Sequence, residues 1–358
     1  MLVGAGRVSD SARRWRLGVW ISLIVLTGAL LSLAPYLTSS TEVVRLRHAL
    51  VLATGGNAGF NWTPAEVPAD FLLERAAPDP LFVDVVNRLG LAAMSSDWER
   101  AVAISRHLLG SSRALPGGAI QSNLRDTYRK IVDEGWGYCG DFSEVFSGLA
   151  IAAGIPVRAW AFSFDGFGGH GHIWPEIWNR QLGRWQLVDI FDNYYFVGPE
   201  DIPLAALEVR RAMLEDPTSL RLVPLHPGVR PGSAIEAKMW DYYRRGLPEW
   251  YMVWGNNVFS YDRSPLVRVF GPFSHPLEQL GAIAEGVYPS IRILEEPANQ
   301  RQVEAIHRVR LHLLSVGALV IAALLGLLTS LAGWYLARRQ SSRRTEKGRR
   351  WQAQHSIR

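Results

Sequence analysis

The stretch Gly135-Trp136-Gly137-Tyr138-Cys139-Gly140-Asp141-Phe142 decides the fold, because it joins a glycine-rich turn to the start of a helix. Beyond it, Phe142, Val145, Phe146, Leu149, Ala150 and Ala153 share one apolar stripe at helical spacing. Gly154-Ile155-Pro156 ends that helix. Three strand-like runs follow, Val157 to Phe164, His172 to Asn179 and Trp185 to Phe191. They are rich in β-branched and aromatic residues, and the glycine-rich stretch Asp165 to Gly171 separates the first two. Upstream, Phe82, Val85, Val86 and Leu89 share a helical face. Ser96 and Glu99 make a capping box for a helix to about Leu109. Pro116 to Gly118 punctuates the chain, and a third helical segment spans about Asn123 to Glu134. Helices, then a helix headed by cysteine, then an antiparallel sheet make an α+β plan.

Cys139 is the only cysteine in 358 residues. An intramolecular disulfide and a multi-cysteine metal site are therefore excluded. A lone cysteine is ordinarily a buried filler. This one sits between glycines at a helix start, where unpaired N–H groups and the helix dipole favour thiolate. His172 opens the second strand and can exchange a proton with the thiol. Asp189, on the next run, can hold the second imidazole nitrogen. Rivals exist for each role. His170 competes as base, and Asp192 stands behind Asp189. His170 and His172 with Asp165, Asp189 and Asp192 are the alternative metal-ligand set. No metal and no cofactor are expected. Arg158 reads as a brace for the sheet, and Trp174, Trp178 and Trp185 as core or cleft wall. The Cys139 backbone N–H is the natural first oxyanion donor, with Trp136, Tyr138 or Gln121 open as the second.

At these residues the chain resembles the transglutaminase-like superfamily, whose core is papain-like. The resemblance rests on Cys139 opening a helix, Gly154-Ile155-Pro156-Val157-Arg158, His172-Ile173-Trp174, and Trp185 through Asp189. It covers about residues 80–200, with Asp97-Trp98-Glu99-Arg100 in the lead-in helix. It implies Cys139 as nucleophile, His172 as general base and acid, and Asp189 as orienting carboxylate. It also implies acyl transfer at an amide, ending in hydrolysis or cross-linking of a protein or peptide substrate.

The flanks set the surroundings. Leu17–Tyr36 and Leu313–Ala337 carry no charge, and each is long enough as a helix to cross a bilayer. The first lacks a small-x-small exit at Leu33-Ala34-Pro35-Tyr36, so an uncleaved anchor is expected. Ala318, Ala322, Gly326 and Ser330 form a small-residue stripe on the second. The net charge of +5 divides into +3 for residues 1–16, +7 for residues 338–358 and −5 for the remainder. Basic flanks stay inside, so both termini are expected in the cytoplasm and residues 37–312 outside. The basic pI of about 9.5 then belongs to tails facing anionic lipid, and no nucleic-acid partner is expected. The 48% hydrophobic content excludes a disordered chain.

The expected order is thus a tail (1–16), a span (17–36), a lead-in (37–79) and the transglutaminase-like core (80–200). An aromatic-rich extension (201–312), a second span (313–337) and a basic tail (338–358) follow. In the extension, Ile202–Leu214 reads as a helix and Pro217–Gly232 as loop, and Asn299–His312 as a helix entering the second span. Ten aromatics within residues 240–273 read as core or membrane belt before ligand stack. The expected function is a membrane-anchored envelope thiol enzyme, with the bilayer and exported-polysaccharide machinery as partners. The alternative is a non-catalytic envelope scaffold that binds glycan or protein.

Overall fold

A computed structural model describes residues 10–53, 59–110, 118–229 and 236–355. The expected break at Pro116-Gly117 lies outside the described residues, as does Gly232 at the end of the expected loop. The chain divides into two compact units, one from Arg47 to Ile306 and one formed by the chain before and after it.

In the flanking unit, α1 (Asp10–Leu31) ends before a 3-10 turn, Ala34–Leu37, that contains Pro35. Proline lacks the N–H that would continue the helix, so the helical part of the first apolar stretch stops short of Tyr36. α2 (Ser40–Leu50) follows. The windows Ala12–Leu31 and Pro297–Gln340 are long and apolar enough to cross a membrane. The small-residue stripe is only half engaged. Gly326 faces Ser22 and Ser330 faces Gly18, whereas Ala318 and Ala322 are exposed. Within the apolar stretch Leu313–Ala337 of the long terminal helix, the buried positions are instead Val316, Ala323, Ser330 and Ala337, seven apart. A four-residue step drifts about 40° around a helix and a seven-residue step about 20°, so a heptad stays on its partner longer.

The Arg47–Ile306 unit opens with three helices. α3 (Pro80–Arg88) is capped by Asp79, whose side chain accepts the Leu81 N–H at 2.8 Å. α4 (Asp97–Leu109) is capped by Ser96, which accepts the Glu99 N–H at 3.1 Å. Glu99 reaches back to Ser95 at 3.0 Å, so the reciprocal bond of the expected box falls one residue early. α5 (Leu124–Arg129) widens into a π-turn, Lys130–Glu134, closed by Gly135 in the left-handed region. α6 (Cys139–Ala152) is the helix read from the apolar stripe.

The strands β1 (Val157–Ser163), β2 (Gly171–Asn179) and β3 (Arg184–Leu187) follow. The third is shorter than expected. Beyond Leu187 the chain bends, and Asp189 bridges Tyr194, the first residue of β4 (Tyr194–Val197). α7 (Ala206–Glu215) begins later than expected, because the Leu204 backbone is bonded to Phe196 and Leu187 in extended form. The expected loop after it contains β5 (Arg221–Pro224), which pairs with β4. Next come α8 (Glu236–Gly246), β6 (Trp250–Trp254), α9 (Val258–Arg263), α10 (Pro265–Phe270), α11 (His275–Ala284) and β7 (Ser290–Ile293). The last helix, α12 (Gln300–His355), starts within one residue of the expected Asn299.

The main sheet is antiparallel, in the order β3-β2-β1-β6-β7. Two of its five strands therefore come from the aromatic-rich extension. In register, Phe162 pairs with His172 and with Trp250, and Trp160 with Trp174. One core joins α3–α6 to Val157 and Ile177. A second joins Trp160, Phe162, Trp174, Trp250 and Trp254 to Val209, Met239 and Tyr243. Most of the aromatics near residue 250 are thus core, and the lead-in adds Trp62 and Phe71 to the same cluster.

Candidate active site

Cys139 is the first residue of α6 and is half-buried. Asp141 fixes this helix start. Its Oδ2 accepts the Tyr138 N–H at 2.7 Å and its Oδ1 the Ile120 N–H at 3.1 Å. Gly137 has φ +124°, and a Cβ there would lie 3.2 Å from Asp141 and 3.4 Å from the Phe142 ring. Only glycine fits this turn, and the turn sets where Cys139 emerges. The first amides of α6 have no partner within the helix and point past its start.

His172 enters from the other side, one residue into β2. Gly171 before it crosses β1 closely, since a Cβ would come within 2.0 Å of the Phe162 carbonyl oxygen. The imidazole is buried among Phe162, Trp174 and Tyr242. Its Nε2 lies 2.8 Å from Asp189 Oδ2 and 3.5 Å from Asp192 Oδ2. A carboxylate only accepts, so the Nε2 hydrogen is assigned toward Asp189. Nδ1 is then the nitrogen left to trade a proton with Cys139, whose side chain is near enough to the ring to bear on its charge. Burial works against a charged imidazole here. The charge and hydrogen bond of Asp189, then Cys139 and Asp192, outweigh it and hold His172 well above the usual histidine range.

Asp189 is fully buried and accepts three hydrogen bonds. Besides His172, its Oδ2 accepts the Tyr243 O–H at 2.7 Å, and its Oδ1 accepts the Asp192 N–H at 3.2 Å. Asp189, the nearer carboxylate, thus takes the partner position at His172, with Asp192 behind it as the second. The structure brings Cys139, His172 and Asp189 together in the order read from the sequence.

The rival readings separate here. His170 precedes β2, stacks on Phe164, and sets its Nδ1 3.4 Å from Asp165. It does not join His172. The liganding atoms of His172, Asp189 and Asp192 lie within 4.8 Å of one another, close enough to share a cation. However, Asp189 Oδ2 already accepts two side-chain hydrogen bonds, one of them from the histidine nitrogen that would ligate. That donor pattern suits proton transfer better than metal coordination. Arg158 is a brace. It bonds Glu176 at 2.6 Å and the Phe60 carbonyl at 2.8 Å, and lies 4.0 Å from the Trp185 ring centre. Trp174 and Trp185 are core and Trp178 is half-buried. Trp136, Tyr138 and Gln121 are exposed.

Sequence pattern alone does not mark Tyr243 or its neighbour Tyr242 as site residues. Tyr242 donates to the Gly171 carbonyl at 2.6 Å, on the residue before His172. A signal is present, since Met239, Tyr243 and Gly246 recur at helical spacing and form the buried face of α8. Nothing in the pattern marks that face as the one aimed at Asp189.

No curated protein and no solved structure gives a significant match to the chain. A family model for the transglutaminase-like superfamily matches residues 87–190. That span contains Cys139, His172 and Asp189, and by it residues 87–190 are a transglutaminase-like superfamily domain.

Proposed function

We propose that this chain is a membrane-anchored thiol enzyme that transfers acyl groups from amides. The observation that carries the reading is the 2.8 Å bond from His172 Nε2 to Asp189, which leaves Nδ1 for Cys139. Cys139 sulfur attacks the amide carbonyl carbon, and its proton passes to His172 Nδ1. The carbonyl electrons move to oxygen, where the first N–H groups of α6 face the developing charge. The tetrahedral intermediate collapses by breaking the C–N bond, and His172 returns the proton to the departing amine. A thioester on Cys139 remains. Water resolves it as a peptidase or amidase would, or an amine resolves it as a cross-linking enzyme would.

Charge asymmetry supports the location. Both basic tails lie in the cytoplasm, and the Arg47–Ile306 unit lies outside the cytoplasmic membrane. The substrate is a protein or peptide of the envelope, in the neighbourhood of exported polysaccharide.

Two experiments test this. Cys139 in the full chain is alkylated with iodoacetamide near pH 6, and any acyl-enzyme is trapped and identified by mass spectrometry. Fast alkylation that His172→Ala abolishes is expected. Alkylation no faster than a free thiol, unchanged by His172→Ala, would leave only the scaffold reading. For location, a reporter active only in the cytoplasm should work when fused after Arg358 and be silent when inserted at Gly228. Activity at Gly228 would overturn the arrangement.

A further inference from the structure

The matched domain ends at residue 190, yet a hydrogen bond from outside it reaches the candidate site. Tyr243 lies on α8 and is fully buried. Its O–H is 2.7 Å from the same Asp189 oxygen that receives His172 Nε2. The ring is held by Phe162, Trp174 and Phe196, with centroids 5.2, 5.3 and 5.1 Å away. Solvent does not reach this hydroxyl, so no water replaces it if it is removed. We propose that Tyr243 is a positioning residue, whose O–H fixes Asp189 and divides the carboxylate's charge between two donors. The proposal rests on the thiol-enzyme reading and adds a working part to it from the extension.

The physical consequence has a sign. An acceptor oxygen shared by two donors binds each less strongly than it would bind one alone. With the tyrosine donor gone, more of the Asp189 charge falls on His172 and its imidazolium keeps the proton to higher pH. The other ionisable or charged groups around this pair are Cys139 on α6, Asp192 after β3, and Tyr242 and Arg245 on α8. All of them stay in place in the variants below. A tyrosine that served only to fill the core would change stability and leave the proton affinity of His172 where it was.

The test is the rate of Cys139 alkylation by iodoacetate from pH 4 to 10, in the full chain in detergent. The reagent's carboxylate favours an imidazolium beside the sulfur, so the alkaline limb reports loss of the His172 proton. Tyr243→Phe should move that limb up by about half a pH unit. Should Tyr243→Phe fail to fold, 3-fluorotyrosine at position 243 keeps the shape and donates more strongly, so it should move the limb down. Opposite shifts, or the downward shift alone where the phenylalanine variant does not fold, support the proposal. A limb that neither folded variant moves overturns it while leaving the thiol-enzyme reading intact. A wild-type protein whose alkylation shows no such limb removes both.

Discussion

The Ser143 hydroxyl, on the helix that begins with Cys139, donates to the Ile173 carbonyl at 3.1 Å. Ile173 is next to His172, so this bond ties the carrier of the thiol to the carrier of the imidazole. It spans 30 positions in sequence and is partly buried. Ser147, one turn on, bonds only within its own helix, to the Ser143 carbonyl at 2.7 Å. Ser143→Ala should therefore cost about 1 kcal/mol of stability and slow Cys139 alkylation several-fold, because helix and strand lose their register. Ser147→Ala should leave the alkylation rate unchanged. Equal rates in the two variants would show that the link does not position the site.

Acid stability has a separate handle in Asp97, fully buried at the start of α4. Arg180 bonds both its oxygens, at 2.8 and 2.7 Å, and the Arg180 N–H adds a third bond at 3.0 Å. Burial alone would raise this carboxyl, but the Arg180 bonds and charge, with Arg100, bring it below its ordinary value. A depressed carboxyl contributes stability above its unfolded pKa, about 3.9, and loses it as pH falls through the folded value. The guanidinium is half exposed, so solvent screens the pair. Asp97→Asn should cost about 1–2 kcal/mol at pH 7 and flatten the loss of stability below pH 4. Thermal unfolding followed by tryptophan fluorescence measures both. An Asp97→Asn protein with the wild-type acid profile would assign the acid sensitivity elsewhere.

His48 governs the window just above. It is buried, its Nδ1 is 2.8 Å from the Phe167 carbonyl, and its ring meets Tyr251 edge-on. A carbonyl accepts, so Nδ1 carries the hydrogen. Burial, then the charge of Arg47, pushes the pKa down to about 3, against the bond to Phe167. The unfolded chain takes up a proton near pH 6.5 that the folded chain refuses, so stability falls as pH drops below 6.5. The expected slope is about 1.4 kcal/mol per pH unit between pH 6 and 5. His172 is raised and behaves in the opposite sense. Its contribution is complete below pH 6.5 and disappears as pH rises through its folded value, so the two effects occupy different windows. His48→Asn keeps an N–H near the Phe167 carbonyl and should remove the slope between pH 6 and 5. A slope that persists in that variant would clear His48.

Much of the candidate site was legible because its residues occur at element boundaries with strong local signals. Gly137 and Gly140 bracket Cys139, Gly154-Ile155-Pro156 ends its helix, and Gly171 precedes His172. The end of β3 was less legible. Trp185 to Phe191 is β-rich throughout, and what ends the strand at Leu187 is a turn in which Asp189 caps the Asp192 N–H. Tertiary pairing with Tyr194 decides that, and local propensity does not report it. Residues 201–306 were the hardest to read, because their work is long-range. Trp250–Trp254 looks like an aromatic patch until β1 is beside it, and Tyr243 looks like core until Asp189 is found at its hydroxyl.

The two apolar helices of the flanking unit make a prediction that needs no assay of activity. A Cβ built on Gly326 of α12 lies 4.0 Å from the Ser22 Cβ of α1. Disulfides require Cβ atoms about 3.5–4.5 Å apart, so cysteines at these two positions can bond without backbone movement. In a Cys139→Ser background, the Ser22→Cys, Gly326→Cys protein should form an intramolecular cross-link in membranes under mild oxidation. Proteolysis between the two helices followed by non-reducing electrophoresis would reveal it. Ser22→Cys paired with Ala322→Cys tests the face, because Ala322 is exposed and lies on the part of the four-residue stripe that turns away from α1. Efficient cross-linking at 326 and none at 322 is expected from a heptad contact. Efficient cross-linking at 322 as well as at 326 would mean that the whole four-residue stripe, and not positions 316, 323, 330 and 337, forms the helix pair.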